Sequence, residues 1–107
     1  MTNYVEIEAS QLADLLTNQP IVLLDVRNDD EVLGGIIAGA IHIPLNALPT
    51  EYTKLNPDAK IVCYCHSGIR SAKAASFLAN LGYENLYNLR GGILAWGRAG
   101  YTFVAKS

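Results

Sequence analysis

Apolar and polar residues along this chain switch repeatedly between strand-like runs and helical spacing. Residues Tyr4 to Ile7, "YVEI", alternate and predict a short strand. Ser10 is the expected N-cap of "QLADLL", where Leu12, Leu15 and Leu16 fall at helical spacing. After Pro20, the continuous apolar run Ile21 to Asp25 reads as a parallel strand covered on both faces. "NDDE", Asn28 to Glu31, has the Asn-x-x-Glu form of a capping box. It predicts a helix kept short by Gly34 and Gly35. Ala40 to Ile43 form another short strand, closed by Pro44, and the segment Thr50 to Leu55 between Pro49 and Pro57 is predicted helical. Lys60 to Cys65 is the next strand. The clearest helix follows: Ala74, Phe77, Leu78 and Leu81 make an apolar stripe opposite Lys73, Ser76 and Asn80, and Gly82 stands at the C′ position. Asn85 to Leu89 is a strand, Gly91-Gly92 a turn and "ILAWGRA" a last helix followed by Gly100. The tail "YTFVAKS" receives no element. Strands and helices alternate throughout, which predicts an α/β fold with a parallel sheet and helices on both faces.

Size and charge narrow the picture. A chain of 107 residues is expected to form one domain spanning 1–107. It can bury roughly two-thirds of its unfolded surface, enough for a core without disulfides or a structural metal. Half the residues are apolar and the net charge is -2, so no basic field points to nucleic acid or to anionic lipid as a partner. No apolar run approaches the ~20 residues of a membrane span. "MTNYVEIEAS" has neither the basic nor the apolar region of a signal peptide. Cys63 and Cys65, two apart, cannot be bridged without straining the backbone, so a reducing, cytoplasmic location is expected.

The candidate chemistry lies where the Lys60–Cys65 strand gives way to the strongest helix. Ligands of open α/β sheets bind beyond the carboxyl ends of the strands, and Cys65 stands at such an end. "CHSGIR" comprises Cys65, His66, Ser67, Gly68, Ile69 and Arg70. Gly68 allows a left-handed turn, and a curled loop followed by a helix N-terminus directs backbone N–H groups inward as an anion nest. The anion placed at its centre is the Cys65 thiolate, with its pKa lowered by those dipoles and further by Arg70 and a protonated His66. Cys63, inside the strand, reads as a small buried hydrophobe, or else as a resolving thiol. The Cys-x-Cys-His spacing matches no common zinc pattern, so no metal is assigned. His42 reads as structural, Trp96 as core, and Asp25 as a partner of loop backbone groups. Arg27 stands between scaffold and substrate edge. Arg90 reads as an ion-pair partner more readily than a substrate contact.

The order and spacing of these pieces resemble a single-domain rhodanese. The resemblance rests on "LLDVR" (Leu23–Arg27), "GGIIAGAIHIP" (Gly34–Pro44), "YCHSGIRSAKAA" (Tyr64–Ala75), "LGYENLYNLRGG" (Leu81–Gly92) and Ala95-Trp96, and runs from about Ile7 to Tyr101. Residues 35 to 40, Gly-Ile-Ile-Ala-Gly-Ala, depart from the family's usual Gly-His-Ile-Pro-Gly-Ala, which bears on a local turn outside the cysteine loop. The resemblance implies a five-stranded parallel sheet flanked by helices. It implies a sulfurtransferase in which Cys65 takes a sulfane sulfur from a small anionic donor such as thiosulfate. The resulting persulfide passes the sulfur to a thiol, to cyanide or to a thioredoxin-like protein, and no cofactor is needed. His66 to Arg70, with Arg27, then bind the substrate. Two other readings share the residues: a cysteine phosphatase or arsenate reductase, and a non-catalytic binding module. The first uses a Cys-x5-Arg bowl, one residue longer than the Cys-x4-Arg found here.

Overall fold

The apolar runs become one parallel sheet. The computed structural model describes residues 3–106. Its strands are β1 (Val5–Ile7), β2 (Val22–Asp25), β3 (Ile41–His42), β4 (Ile61–Tyr64) and β5 (Leu86–Leu89), in the order β1-β5-β4-β2-β3. Every pairing is parallel. The helices are α1 (Ala9–Asn18), α2 (Asp29–Val32), α3 (Leu48–Glu51), α4 (Ile69–Asn80) and α5 (Gly92–Arg98).

β4 is central and all four of its residues are buried, which is why its sequence carries no polar position. Its side chains alternate between two cores. Ile61 and Cys63, continued by Cys65, pack with Leu24, Leu86 and the Ala74, Ala75 and Leu78 face of α4. Val62 and Tyr64 point the other way, against Leu12 of α1 and Ile93 and Trp96 of α5. Helices thus cover both faces, and the carboxyl end of β4 opens into the sheet's centre. α4 ends in a Schellman motif: the Tyr83 N–H donates to Leu78 O and the Gly82 N–H to Ala79 O, with Gly82 at φ +96.

Several local expectations are corrected. The N-cap of α1 is Glu8, not Ser10: its N–H donates to Gln11 Oε1 at 2.7 Å, and its carbonyl accepts the Leu12 N–H at 3.0 Å. The helix begins at once because Ala9 and Leu12 must both reach the core beneath β1. The segment expected to be helical from Thr50 begins earlier. A 3-10 turn, Leu45–Ala47, leads into α3, and Pro49 sits in the first turn of α3, where its missing N–H has no partner to lose. A second 3-10 turn, Tyr52–Lys54, follows. Gly91 and Gly92 are the N-cap and first residue of α5 rather than a free turn. The tail, left without an element, folds back over α5. Ile36 and Val104 exchange two backbone hydrogen bonds in an antiparallel bridge, and Trp96 Nε1 donates to Thr102 O at 2.9 Å. Ser107, and the first two residues of "MTNYVEIEAS", lie outside the described residues. Among those described, no helix is long and apolar enough to cross a membrane.

Candidate active site

The loop after β4 curls into a cup around one sulfur. Gly68, the N-cap of α4, takes φ +105 and lies so close to Gly91 that a Cβ there would meet the Gly91 nitrogen at 3.3 Å. This left-handed turn brings the Gly68 N–H to 3.1 Å from Cys65 Sγ, and the first turn of α4 adds the Ser71 N–H at 3.4 Å. Cys65 is only 1% exposed, so Sγ lies at the bottom of the cup. His66, Ser67 and Ile69 are exposed around it. The carbonyls of the loop face the opposite way: Cys65 O accepts the Ile93 N–H at 2.9 Å and His66 O the Leu94 N–H at 3.2 Å. The open N–H groups at the start of α5 therefore hold the loop's carbonyls outward, which turns its amides toward the sulfur. Gly92 makes this approach feasible, because a Cβ there would stand 2.5 Å from both of those carbonyl oxygens.

The surroundings separate the two thiols. Burial acts to raise Cys65. The N–H groups of Ser71, Gly68 and Ser67 counter it, joined by the Ser71 hydroxyl only where its proton is free, and the thiol lies below its ordinary range. Burial, with a smaller contribution from Cys65, pushes Cys63 up to about 12, so Cys63 stays a neutral thiol in the core. Of the donors around Cys65, the Ser71 hydroxyl is conditional. Its Oγ is 3.4 Å from Sγ but 2.5 Å from Asn88 Oδ1. The Asn88 amide cannot turn over, because its Nδ2 faces three acceptors: both Glu6 carboxylate oxygens, at 3.2 and 3.0 Å, and Gly68 O at 3.1 Å. Asn88 Oδ1 therefore claims the single hydroxyl proton of Ser71. The backbone N–H groups, which cannot turn away, are the constant part of the cup.

The charged residues form an outer frame. Arg27 is buried; its guanidinium meets the Asp25 carboxylate, with Nη2 at 2.8 Å from Oδ2, and also donates to Gly35 O at 2.7 Å. Asp25 takes the Arg27 N–H as well, at 3.0 Å. Arg70 forms a two-pronged pair with Glu31, at 2.6 and 2.8 Å, that ties α4 to α2. Arg70 thereby holds the Glu31 carboxyl at about 2, against the opposing effect of burial. His42 Nε2 lies 2.7 Å from Arg27 O, and Arg90 pairs with Glu8 on the surface. Beside the cup, between the end of α2, α5 and the tail, lies an open cavity of about 630 Å³. Its walls include His66, Ile93, Leu94, Gly97, Arg98 and Phe103, together with Arg27 and Glu31.

Over residues 8–99 the chain matches the rhodanese-like domain family. The chain belongs to the rhodanese family. It is 37% identical to a protein named "Sulfurtransferase" from Allochromatium vinosum, a match covering 94% of each chain. It is 39% identical to a tRNA uridine(34) hydroxylase from Picosynechococcus, over 78% of this chain but only 30% of that one. Among solved structures, a rhodanese-related protein from Thermoplasma volcanium superposes with a TM-score of 0.88 at 36% identity, covering 96% of this chain and 100% of that one.

The rhodanese fold and family are those that the sequence resembles. Of the residues singled out there, Cys65, Ser67 and Gly68 are brought together at the sulfur, and His66 and Ile69 stand at the rim. Arg70 is turned to Glu31, and Arg27, held by Asp25 and Gly35, forms part of the cavity wall. The lowering of the Cys65 thiol comes, as expected, from the N–H groups of the loop and of the first helical turn; the further lowering expected from Arg70 and His66 is not among its causes. The sequence pattern marks none of Ser71, Asn88 and Glu6 as a site residue, and it marks Gly92 only as part of a turn. The doubled glycine before an apolar helix was the available signal for Gly92, since adjacent glycines often mark a close backbone approach. Nothing in the linear pattern links Ser71 to Asn88, or Asn88 to Glu6.

Proposed function

We propose that this rhodanese is a sulfurtransferase that moves a sulfane sulfur through a persulfide on Cys65. The observation that carries this reading is the placement of Sγ at the focus of the Gly68 and Ser71 N–H groups, with its thiol held below the ordinary range. The Cys65 thiolate attacks the outer sulfur of thiosulfate. A Cys65 S–S bond forms, the donor's S–S bond breaks, and its electron pair leaves with sulfite. The terminal sulfur of the persulfide then faces the N–H groups of the cup, which stabilise its charge in place of water. An acceptor thiolate or cyanide next attacks that outer sulfur, and the electron pair of the enzyme's S–S bond returns to Sγ. Two displacements through one covalent intermediate give ping-pong kinetics, with no cofactor.

Arg70, in the first turn of α4, has its charge bound to Glu31. Its remaining N–H donors can meet the leaving sulfite, while His66, Ser67 and Ile69 line the approach. Arg27 acts on the substrate only through the frame it makes with Asp25 and Gly35. The donor is a small sulfur-containing anion and the acceptor a thiol, cyanide or a thioredoxin-like protein; nucleic acid and membrane are not partners. The cytoplasm, which keeps both cysteines free, is the fitting compartment. A phosphatase is disfavoured because the loop is a residue shorter than a phosphate bowl and Arg70 is already engaged by a carboxylate. A non-catalytic module would have no use for a thiol so placed.

Mass spectrometry after incubation with thiosulfate tests the proposal. The expected result is a gain of one sulfur atom, lost in Cys65→Ala and retained in Cys63→Ala. No gain from thiosulfate or from a polysulfide would refute it.

A further inference from the structure

The cavity beside the cup is too large for the smallest substrates. Its volume of about 630 Å³ falls in the range of ~300–1,000 Å³ typical of sites for small organic ligands, far beyond what cyanide or sulfite fills. Its walls are largely apolar, from Ile93 and Leu94 of α5 and the ring of Phe103. Phe103 is brought there by the tail, which the Ile36–Val104 bridge and the Trp96–Thr102 hydrogen bond fasten across α5. Two glycines seat it: a Cβ at Gly97 would meet Phe103 Cζ at 3.1 Å, and one at Gly35 would meet Phe103 Cβ at 3.3 Å.

The charges of the cavity are unequal in their freedom. Arg27 is taken by Asp25, and Glu31 by Arg70. Arg98, exposed in the last turn of α5, enters no ion pair among the described residues. His66 belongs both to the cysteine loop and to the cavity wall. The space thus runs from the loop that holds the sulfur, along an apolar wall, to an unengaged cation.

Resting on the sulfur-transfer reading above, we propose that this cavity, walled on one side by Phe103, is the acceptor site, and that it takes an organic thiol with an apolar body and a terminal anionic group held by Arg98. With the body along Leu94 and Phe103, the acceptor's thiol passes its proton to the anionic outer sulfur of the persulfide, and the thiolate so formed attacks that sulfur. A new S–S bond forms on the acceptor, the enzyme's S–S bond breaks, and its electron pair returns to Sγ. The proton stays on the transferred sulfur, which leaves as the acceptor's hydropersulfide. A neutral thiol of equal length keeps the apolar contact but lacks the charge pairing. Cyanide uses neither.

The test compares 6-mercaptohexanoate, 6-mercaptohexanol and cyanide as acceptors of sulfur from thiosulfate. The carboxylate thiol is expected to exceed the alcohol about tenfold in kcat/KM, the scale of one charge-assisted contact. Arg98→Gln should abolish that preference, and Phe103→Ala should lower the ratio of each thiol to cyanide about tenfold. Binding is read separately in Cys65→Ala, which cannot form the persulfide: 6-mercaptohexanoate should shift the NMR methyl signals of Ile93 and Leu94, and Arg98→Gln in that background should weaken the shift. If Cys65 gains no sulfur from thiosulfate or a polysulfide, the sulfur-transfer reading fails, while the Cys65→Ala titration still decides whether the cavity binds the thiol. If cyanide transfer proceeds but the two thiols react alike, or no methyl signal moves, the acceptor site is refuted and sulfur transfer stands. Acceptance from a protein thiol only, with no binding of either small thiol, would likewise overturn it.

Discussion

Gly92→Ala isolates the role of α5 in shaping the cup. Gly92 has φ +59, and a Cβ there would lie 2.5 Å from Cys65 O and His66 O and 2.6 Å from the His66 carbonyl carbon. These are backbone atoms with no rotamer to swing aside, so the start of α5 must move off the loop. The left-handed conformation costs an L-residue about 1–2 kcal/mol. Displacing α5 weakens the Ile93–Cys65 and Leu94–His66 hydrogen bonds, each worth about 1 kcal/mol. The expected loss is therefore about 3–4 kcal/mol, a large share of the ~5–15 kcal/mol that holds a domain folded. Urea unfolding measures it, with Gly100→Ala as the control. Gly100 also has a positive φ, +91, but no atom lies within 4 Å of its would-be Cβ, so only the conformational term of about 1–2 kcal/mol applies. The freed loop carbonyls no longer hold the amides inward, so the Cys65 thiolate titration, followed by ultraviolet absorbance, should move to higher pH in Gly92→Ala alone. Equal losses of stability in the two variants, with unchanged thiolate titration, would show that the contact with α5 does not shape the cup.

Further outcomes follow from the same geometry. Because the folded Cys65 thiol lies below its ordinary range, its alkylation by iodoacetamide should stay fast below pH ~8.5, where free thiols fade, and decline only as pH falls through the lowered pKa. A midpoint at or above the free-thiol value contradicts the cup. The Glu31 carboxyl lies below its ordinary 4.5, at about 2, so its contribution to stability is complete above pH 4.5 and is lost as pH falls toward about 2. Glu31→Gln should cost about 1 kcal/mol at neutral pH, as a partly exposed pair does, and flatten the acid-unfolding profile across that window. An unchanged profile means the pair is not formed in solution. Since Asn88 claims the Ser71 proton, Ser71→Ala should leave the Cys65 titration nearly in place. Asn88→Ala should shift it to lower pH more strongly with Ser71 present than in a Ser71→Ala background. A marked rise from Ser71→Ala alone would put the proton on the sulfur instead.

Much of this protein follows from short-range pattern. The runs around Leu24 and Val62 are apolar without interruption because both faces of a central parallel strand are covered, so the sheet could be read from the chain. Asn28 and Glu31 meet within one turn, and the capping box forms as the spacing predicts; Glu31 Oε1 accepts the Asn28 N–H at 3.0 Å. Cys65 was legible for the same reason. Strand end, glycine and helix start are consecutive in sequence, and the N–H groups that surround Sγ come from residues no more than six positions away.

Tertiary structure alone decided which groups complete and restrain that cup. Arg70 finds Glu31 across 39 residues and so is not an open cation. Asn88 meets Glu6 across 82 residues and takes the Ser71 proton. Gly92 presses α5 against the loop, and the tail carries Phe103 over Gly97 to wall the cavity. Each of these contacts depends on the order of strands in the sheet and on how closely two backbones approach. Local periodicity tells a residue which face it occupies; it holds no information about the distant residue that faces it there.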